Sequence, residues 1–165
     1  MIGDRWGVSA AEVTRRYPCD DVVRTPVLQA WRGVTVRAGP RDVWPWVAQI
    51  RLAPYSYDWL DNLGRRSPRR LHGLPDPVPG DYFTAAFGGR PVGRVVSVTP
   101  GEQLTWRIKG AAMSYVLVPE GPTTRLLLKI VARPGRLTAP LLSAGDLIMA
   151  RRQLLNLARL AERNH

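Results

Sequence analysis

Five alternating runs follow one another from Gly80 onward, each closed by a tight Gly or Pro turn, and they constrain the fold more than any other feature. GDYFTAAF stops at Gly88-Gly89 and PVGRVVSV at Pro100-Gly101. EQLTWRIK leads to Gly110, MSYVLV to Glu120-Gly121-Pro122, and TTRLLLKIVAR completes the set. A period of two sends alternate side chains to opposite faces, and turns this short can join only antiparallel neighbours. The chain is therefore committed to an antiparallel meander. Leu104, Trp106 and Ile108 share one face, with Thr105, Arg107 and Lys109 on the other. Met113, Tyr115 and Leu117 keep that register, and Leu126, Leu128 and Ile130 oppose Arg125 and Lys129. A sheet that is apolar on one side needs a cover.

The cover is the C-terminal segment. From about Pro140 to Arg163 there is no helix breaker after Gly145. Leu147, Ala150, Leu154, Ala158 and Ala161 trace one face of a long helix, and Arg152, Arg159 and Arg163 trace another.

Upstream of the meander the punctuation is helical. Ser9 and Glu12 have capping-box spacing, Val8 and Val13 sit where a hydrophobic staple closes, and Pro18 ends that helix near Tyr17. TPVLQAWRGVTVRAG alternates as a strand up to Gly39-Pro40. Pro40 suits a first helical turn, Val43, Trp46, Val47 and Ile50 recur at helical spacing, and Pro45 predicts a kinked or loose start. After Pro54, the four-residue spacing of Tyr55, Trp59 and Leu63 predicts a second short helix. Residues 64–79, with four arginines and four prolines, read as an irregular basic loop. The expected architecture is α+β: a curved antiparallel sheet of about six or seven strands around a long C-terminal helix, with two short helices after the first strand.

At 165 residues the chain fits one domain, 1–165, with 1–26 as a helical lead-in packed on it. Such a domain buries roughly 70% of its unfolded surface. An apolar share of 45% and a charged share of 22% are ordinary for a globular chain and argue against disorder. No apolar run approaches the roughly 18 residues of a membrane-spanning helix, and MIGDRWGVSA lacks a signal-peptide core. A single cysteine, Cys19, excludes an intramolecular disulfide and fits a reducing compartment, so a cytoplasmic location is expected. The net charge of +11 invites a nucleic-acid reading. The arginines are dispersed, however, and arginine, glycine, proline and alanine share GC-rich codons, so nucleic acid is not the expected main partner. The one dense cluster is GRRSPRR, residues 64–70.

The order of elements is the helix-grip layout, and the motifs extend the likeness. VWPWVAQI followed by YSYDWLDNL resembles the signature of a branch of the SRPBCC superfamily, the START-like or birch-allergen-like domains related to polyketide cyclases and dehydratases. RWGVSAAEVTRRYPCDD resembles that branch's Trp-Gly…Glu…Pro-Gly-Asp lead-in. GDYF, VTPGEQLTW, PEGPTTRL and ARRQLLNLARLAE fall where the pattern expects them. Cys19 departs from it, standing where glycine is usual. The resemblance implies a fold with a cavity and no single activity.

Five of the thirteen aromatic rings (Trp44, Trp46, Tyr55, Tyr57 and Trp59) fall within sixteen residues. Tryptophan and tyrosine combine apolar area with one polar atom that needs a partner when buried, which suits a pocket for a hydrophobic ligand; plain packing is the competing reading. The expected lining residues are Trp46, Gln49, Tyr57, Trp59, Tyr82, Trp106, Tyr115, Leu128 and Leu154, with the tyrosine hydroxyls and Gln49 orienting any polar group. Arg65, Arg66, Arg69 and Arg70 are the candidate contact for an anionic surface. No catalytic residue is assigned: there is no GxSxG or HExxH pattern, and the two histidines, His72 and His165, are scattered. No metal and no cofactor are expected. Tyr57, Asp58, Asp61 or Tyr82 could do acid–base work if buried, and a cyclase can act largely by holding its substrate in a productive fold. The sequence thus leaves three readings. The first is a monomeric or weakly dimeric carrier of a hydrophobic small molecule or lipid. The others are a polyketide cyclase or dehydratase, and a basic module for RNA or anionic membrane.

Overall fold

The computed structural model describes residues 4–57, 63, 65–86, 90–108, 110–133 and 139–163. Seven strands form one sheet: β1 (Arg5–Trp6), β2 (Leu28–Val36), β3 (Tyr82–Ala86), β4 (Arg90–Thr99), β5 (Gln103–Ile108), β6 (Ala111–Glu120) and β7 (Thr123–Ala132), in the order β1-β2-β7-β6-β5-β4-β3. The five expected strands of the meander pair antiparallel in sequence order, and β2 joins antiparallel to β7. The short β1, which no sequence pattern announced, runs parallel to β2.

The long helix α4 (Ala139–Arg163) lies along the inner face, against β2 and α3 (Pro40–Ala48). Pro40 occupies the first turn of α3, where its missing N–H is no loss, and Pro45 is carried inside the helix. A 3-10 helix, Gln49–Leu52, follows directly and is the second of the two short helices. It precedes the stretch where aromatic spacing had placed that helix. Tyr55 itself adopts φ 57°, a left-handed conformation that lies outside a right-handed helix. Residues 58–62, the middle of the expected helix, lie outside the described residues.

Both faces of the sheet are covered. Inward, Ala30, Val34, Leu104, Trp106, Tyr115, Leu126, Leu128 and Ile130 join α3 and α4 in one apolar cluster. Outward, Trp31, Ala112, Val116, Leu127 and Val131 pack beneath Tyr17 and Cys19. The outer cover comprises α1 (Ala10–Thr14) and α2 (Cys19–Val22). The expected capping box starts α1: Ser9 Oγ accepts from the Glu12 amide, and the Glu12 carboxylate accepts from the Ser9 amide. That carboxylate also takes two hydrogen bonds from Arg125, at 2.8 and 2.9 Å, so one residue both caps the helix and pins it to β7. No helix among the described residues is long and apolar enough to cross a membrane.

Candidate functional site

The interior between the sheet and α4 is lined by rings. Phe83 on β3 and Trp106 on β5 stack with centroids 3.9 Å apart and planes 6° from parallel, and Tyr115 on β6 lies 6.0 Å beyond Phe83. From α3, Trp46 meets Tyr55 edge-on at 6.3 Å. Leu128 on β7 and Leu154 on α4 are buried in the same cluster. The Trp106 ring depends on a glycine: a Cβ at position 93 would stand 2.7 Å from it, and Gly93 holds φ +69°.

Two of these rings carry a polar atom with no counterpart. Trp46 Nε1 and Trp106 Nε1 are buried and have no hydrogen-bond partner among the described residues. A buried donor left unmade costs about 1–3 kcal/mol, against about 0.5–1.5 kcal/mol of net stability from a typical bond that is made. The neighbouring polar groups, by contrast, are engaged. The Tyr115 hydroxyl donates to Gln153 Oε1 at 2.6 Å, and Gln153 Nε2 donates to the Pro54 carbonyl at 2.5 Å. Gln49 Nε2 donates to the Tyr55 hydroxyl at 2.7 Å and to the Arg70 carbonyl at 2.9 Å, while its Oε1 accepts from the His72 amide at 2.8 Å. Both amide hydrogens of Gln49 are thereby used to fasten the basic loop to the end of α3. The sequence reading had reserved them for a guest.

Of the expected lining residues, Trp46, Trp106, Tyr115, Leu128 and Leu154 come together in this interior. Tyr82 does not. It is 50% exposed, because Phe83 takes the inward position of β3 and strand alternation turns its neighbour outward. There Tyr82 stacks under the Arg94 guanidinium at 3.7 Å. Arg94 and Arg107 face each other across β4 and β5 on the outward side, both exposed. Tyr57 sits at the rim, half-buried, with the Arg152 guanidinium 5.7 Å from its ring centre. Trp59, Asp58 and Asp61 lie outside the described residues. Arg65, Arg66, Arg69 and Arg70 are all exposed. Arg69 alone of the four lines a hollow shared with α4.

Sequence reasoning missed three interior groups. Phe83 was legible as the wholly apolar member of the Tyr82-Phe83 pair. Gln153 stands beside Leu154 at the margin of the apolar stripe of α4. Arg32 is 2% exposed, opposite Leu128 on the inner face, and donates to the carbonyls of Asp4 and Trp31 at 2.9 and 2.7 Å. Burial works against its charge and lowers its pKa, and nearby Arg151 pushes the same way. Among the described residues no three His, Cys, Asp or Glu side chains gather as a metal site requires.

No family model matches the chain, and no curated protein matches it. Solved structures do. Protein MLL2253 of Mesorhizobium loti is similar at 16% identity over 83% of this chain and 98% of that one, with a TM-score of 0.56. Protein Ms6760 of Mycobacterium smegmatis matches at 12% identity over 91% of this chain and 97% of that one, also at 0.56. A Thermobifida fusca protein matches at 21% identity over 82% and 93%, at 0.52. Likeness at this level shows the fold: a helix-grip-like arrangement in which the sheet wraps a C-terminal helix.

Proposed function

We propose that the chain is a cytoplasmic, monomeric or weakly dimeric binding domain of the START-like SRPBCC type. It would hold a hydrophobic small molecule or lipid between the sheet and α4. The observation that carries this reading is the pair of buried indole N–H groups, Trp46 and Trp106, left without acceptors in an otherwise apolar aromatic interior. An apolar guest bearing a carbonyl, carboxylate or ether oxygen supplies what they lack, while the rings supply contact area. The buried free thiol of Cys19 fits a reducing compartment.

The test removes the donors and keeps an aromatic ring at each position. Trp46→Phe and Trp106→Phe each delete an N–H that has no partner among the described residues. The smaller ring loses some packing while the cost of the unmade bond is regained, so the empty protein should change by no more than about 1 kcal/mol, while an acceptor-bearing guest weakens about tenfold. Native mass spectrometry of protein from its own host identifies the guest, and melting-temperature shifts rank the variants. If no apolar mass co-purifies, no apolar ligand raises the melting temperature and both variants simply lose stability, the interior is ordinary core.

A second reading, turnover by a cyclase or dehydratase, has one observation in its favour. The Tyr115 hydroxyl is buried beside Trp106 and Phe83, and its one proton, held by Gln153 Oε1 at 2.6 Å, would have to turn from that oxygen to reach a bound carbonyl. Chemical conversion of the co-purified molecule, abolished in Tyr115→Phe with binding retained, would move the protein from carrier to catalyst.

A further inference from the structure

Besides the loop cluster at 65–70, positive charge converges on a hollow on the flank of α4. Arg152, Arg159 and Arg163 recur at spacings of seven and four, which stacks them along one side of the helix. Arg69 faces them from the basic loop, with Ser67 and Tyr57 beside it, around a space of about 490 Å³. That volume lies within the range of small-molecule sites.

Among the described residues no carboxylate comes within 4.0 Å of the four guanidinium groups. The nearest acid on the same helix end, Glu162, is engaged by Arg37, whose backbone amide it accepts at 2.9 Å. Arg152 Nε is buried with no partner among the described residues. Like charges one helical turn apart, such as Arg159 and Arg163, destabilise a helix by a few tenths of a kcal/mol unless something neutralises them.

The wall opposite the arginines is fixed in advance. Asn156 Nδ2 donates to the carbonyls of Tyr55 and Ser56 at 2.9 and 3.3 Å, and Gln153 holds the Pro54 carbonyl. These bonds keep Tyr55 at its left-handed φ of 57°, a conformation that costs roughly 1–2 kcal/mol in a non-glycine residue. The chain thus bears strain on one side of the hollow and charge repulsion on the other.

The geometry points to a binding site for a phosphate group, made by Arg69, Arg152, Arg159 and Arg163. Guanidinium forks pair with the oxygens of a tetrahedral dianion two at a time, and such charge-assisted bonds are about twice as strong as neutral ones. The space exceeds what bare phosphate fills, so the group arrives on a small organic carrier, either a soluble phosphomonoester or a lipid headgroup. The site is open to solvent and stands whether or not the interior takes a guest.

Calorimetric titration with inorganic phosphate and with glycerol phosphate tests the soluble source. Flotation with phosphatidylcholine vesicles, with and without phosphatidic acid, tests the lipid source. Arg152→Gln with Arg159→Gln should lower affinity about tenfold per arginine removed. Arg94→Gln with Arg107→Gln removes the same charge from the outer sheet face and should leave affinity within about twofold. Saturable phosphate or glycerol phosphate binding lost in the first variant supports a soluble ligand; recruitment only to phosphatidic acid vesicles, lost in that variant, supports a headgroup. Absence of both, or equal loss in the two variants, overturns the site, and circular dichroism confirms that both variants keep their helices.

Discussion

The two faces of the sheet are sealed by different chemistry. Outside, the charges and hydroxyls beneath α1 and α2 are matched within the protein. Lys129 Nζ meets Asp20 Oδ1 at 2.5 Å and lies 5.1 Å from the Trp31 ring centre. The Cys19 amide donates to Ser114 Oγ at 2.9 Å, and Ser114 and Thr105 share a hydrogen bond of 2.7 Å. Arg125 grips both oxygens of Glu12. The Trp31 indole is the exception, buried without a partner among the described residues. Inside, rings and aliphatic chains dominate, and two indoles of one cluster have no partner among the described residues. A face whose polar groups are matched inside the protein has little left to offer a ligand. On the proposed function, the donors of the inner face are what a guest would meet.

The largest effect that could break this contrast is chemical. Cys19 is fully buried, and loss of solvent pushes its thiol up to about 11 from an ordinary 9.0. Thiolate is the reactive form, so this shift alone slows labelling roughly a hundredfold, and steric exclusion slows it further. Reaction with a coloured disulfide reagent at mild alkaline pH should follow global unfolding. Labelling in seconds under native conditions would mean that the outer cover opens freely. Stability follows the same group: a raised folded pKa of an acid keeps the thiol stable below its unfolded value of 9.0 and withdraws that stability as pH climbs towards 11.

Next in size is a matched pair of substitutions, one per face. Lys129 is 5% exposed, and Lys129→Met leaves Asp20 without its cation, so the variant should lose about 3 kcal/mol by urea denaturation. A tryptophan packed in a solid core costs about 3–5 kcal/mol when cut to alanine. Trp106→Ala should fall below that range if the inner face keeps room for a guest, and should weaken guest uptake more than folding. A loss within or above the packed range would erase the distinction between the faces.

The same contrast explains what the sequence could disclose. Strand alternation from β5 to β7 and the capping box of α1 are local patterns, and both were readable because nothing distant overrides them. Tyr55 was placed in a helix because of its spacing to Trp59 and Leu63, while the bonds that hold its left-handed turn come from Gln153 and Asn156, about a hundred positions away. Tyr82 was misread because GDYFTAAF admits two registers, and only the Phe83–Trp106 stack selects one. The two-residue β1 is too short to carry a pattern. Arg32 sits in phase with Ala30, Val34 and Val36, so its inward direction was written in the alternation, but a charge in an apolar row reads as noise until burial is seen.

The smallest effect separates capping from pinning. Glu12 is held below the ordinary 4.5 chiefly by its hydrogen bonds to Arg125, with the Ser9 amide adding to the effect and partial burial opposing it. A depressed folded pKa means that the stability is present above the unfolded value and is lost as pH falls through the folded one, so the wild type should weaken in the acid limb below about 4.5. Glu12→Gln keeps a side chain that can accept from the Ser9 amide but removes the charge that Arg125 grips. Solvent reaches part of this pair and screens it, which limits the loss to about 1 kcal/mol near neutral pH. The difference in stability between wild type and variant should narrow as pH falls from neutral to 3, because protonation progressively removes from the wild type what the substitution removes at any pH. A gap that persists undiminished in acid would show that Glu12 acts through shape rather than charge. The outer face would then be closed by packing, as the inner one is by its rings.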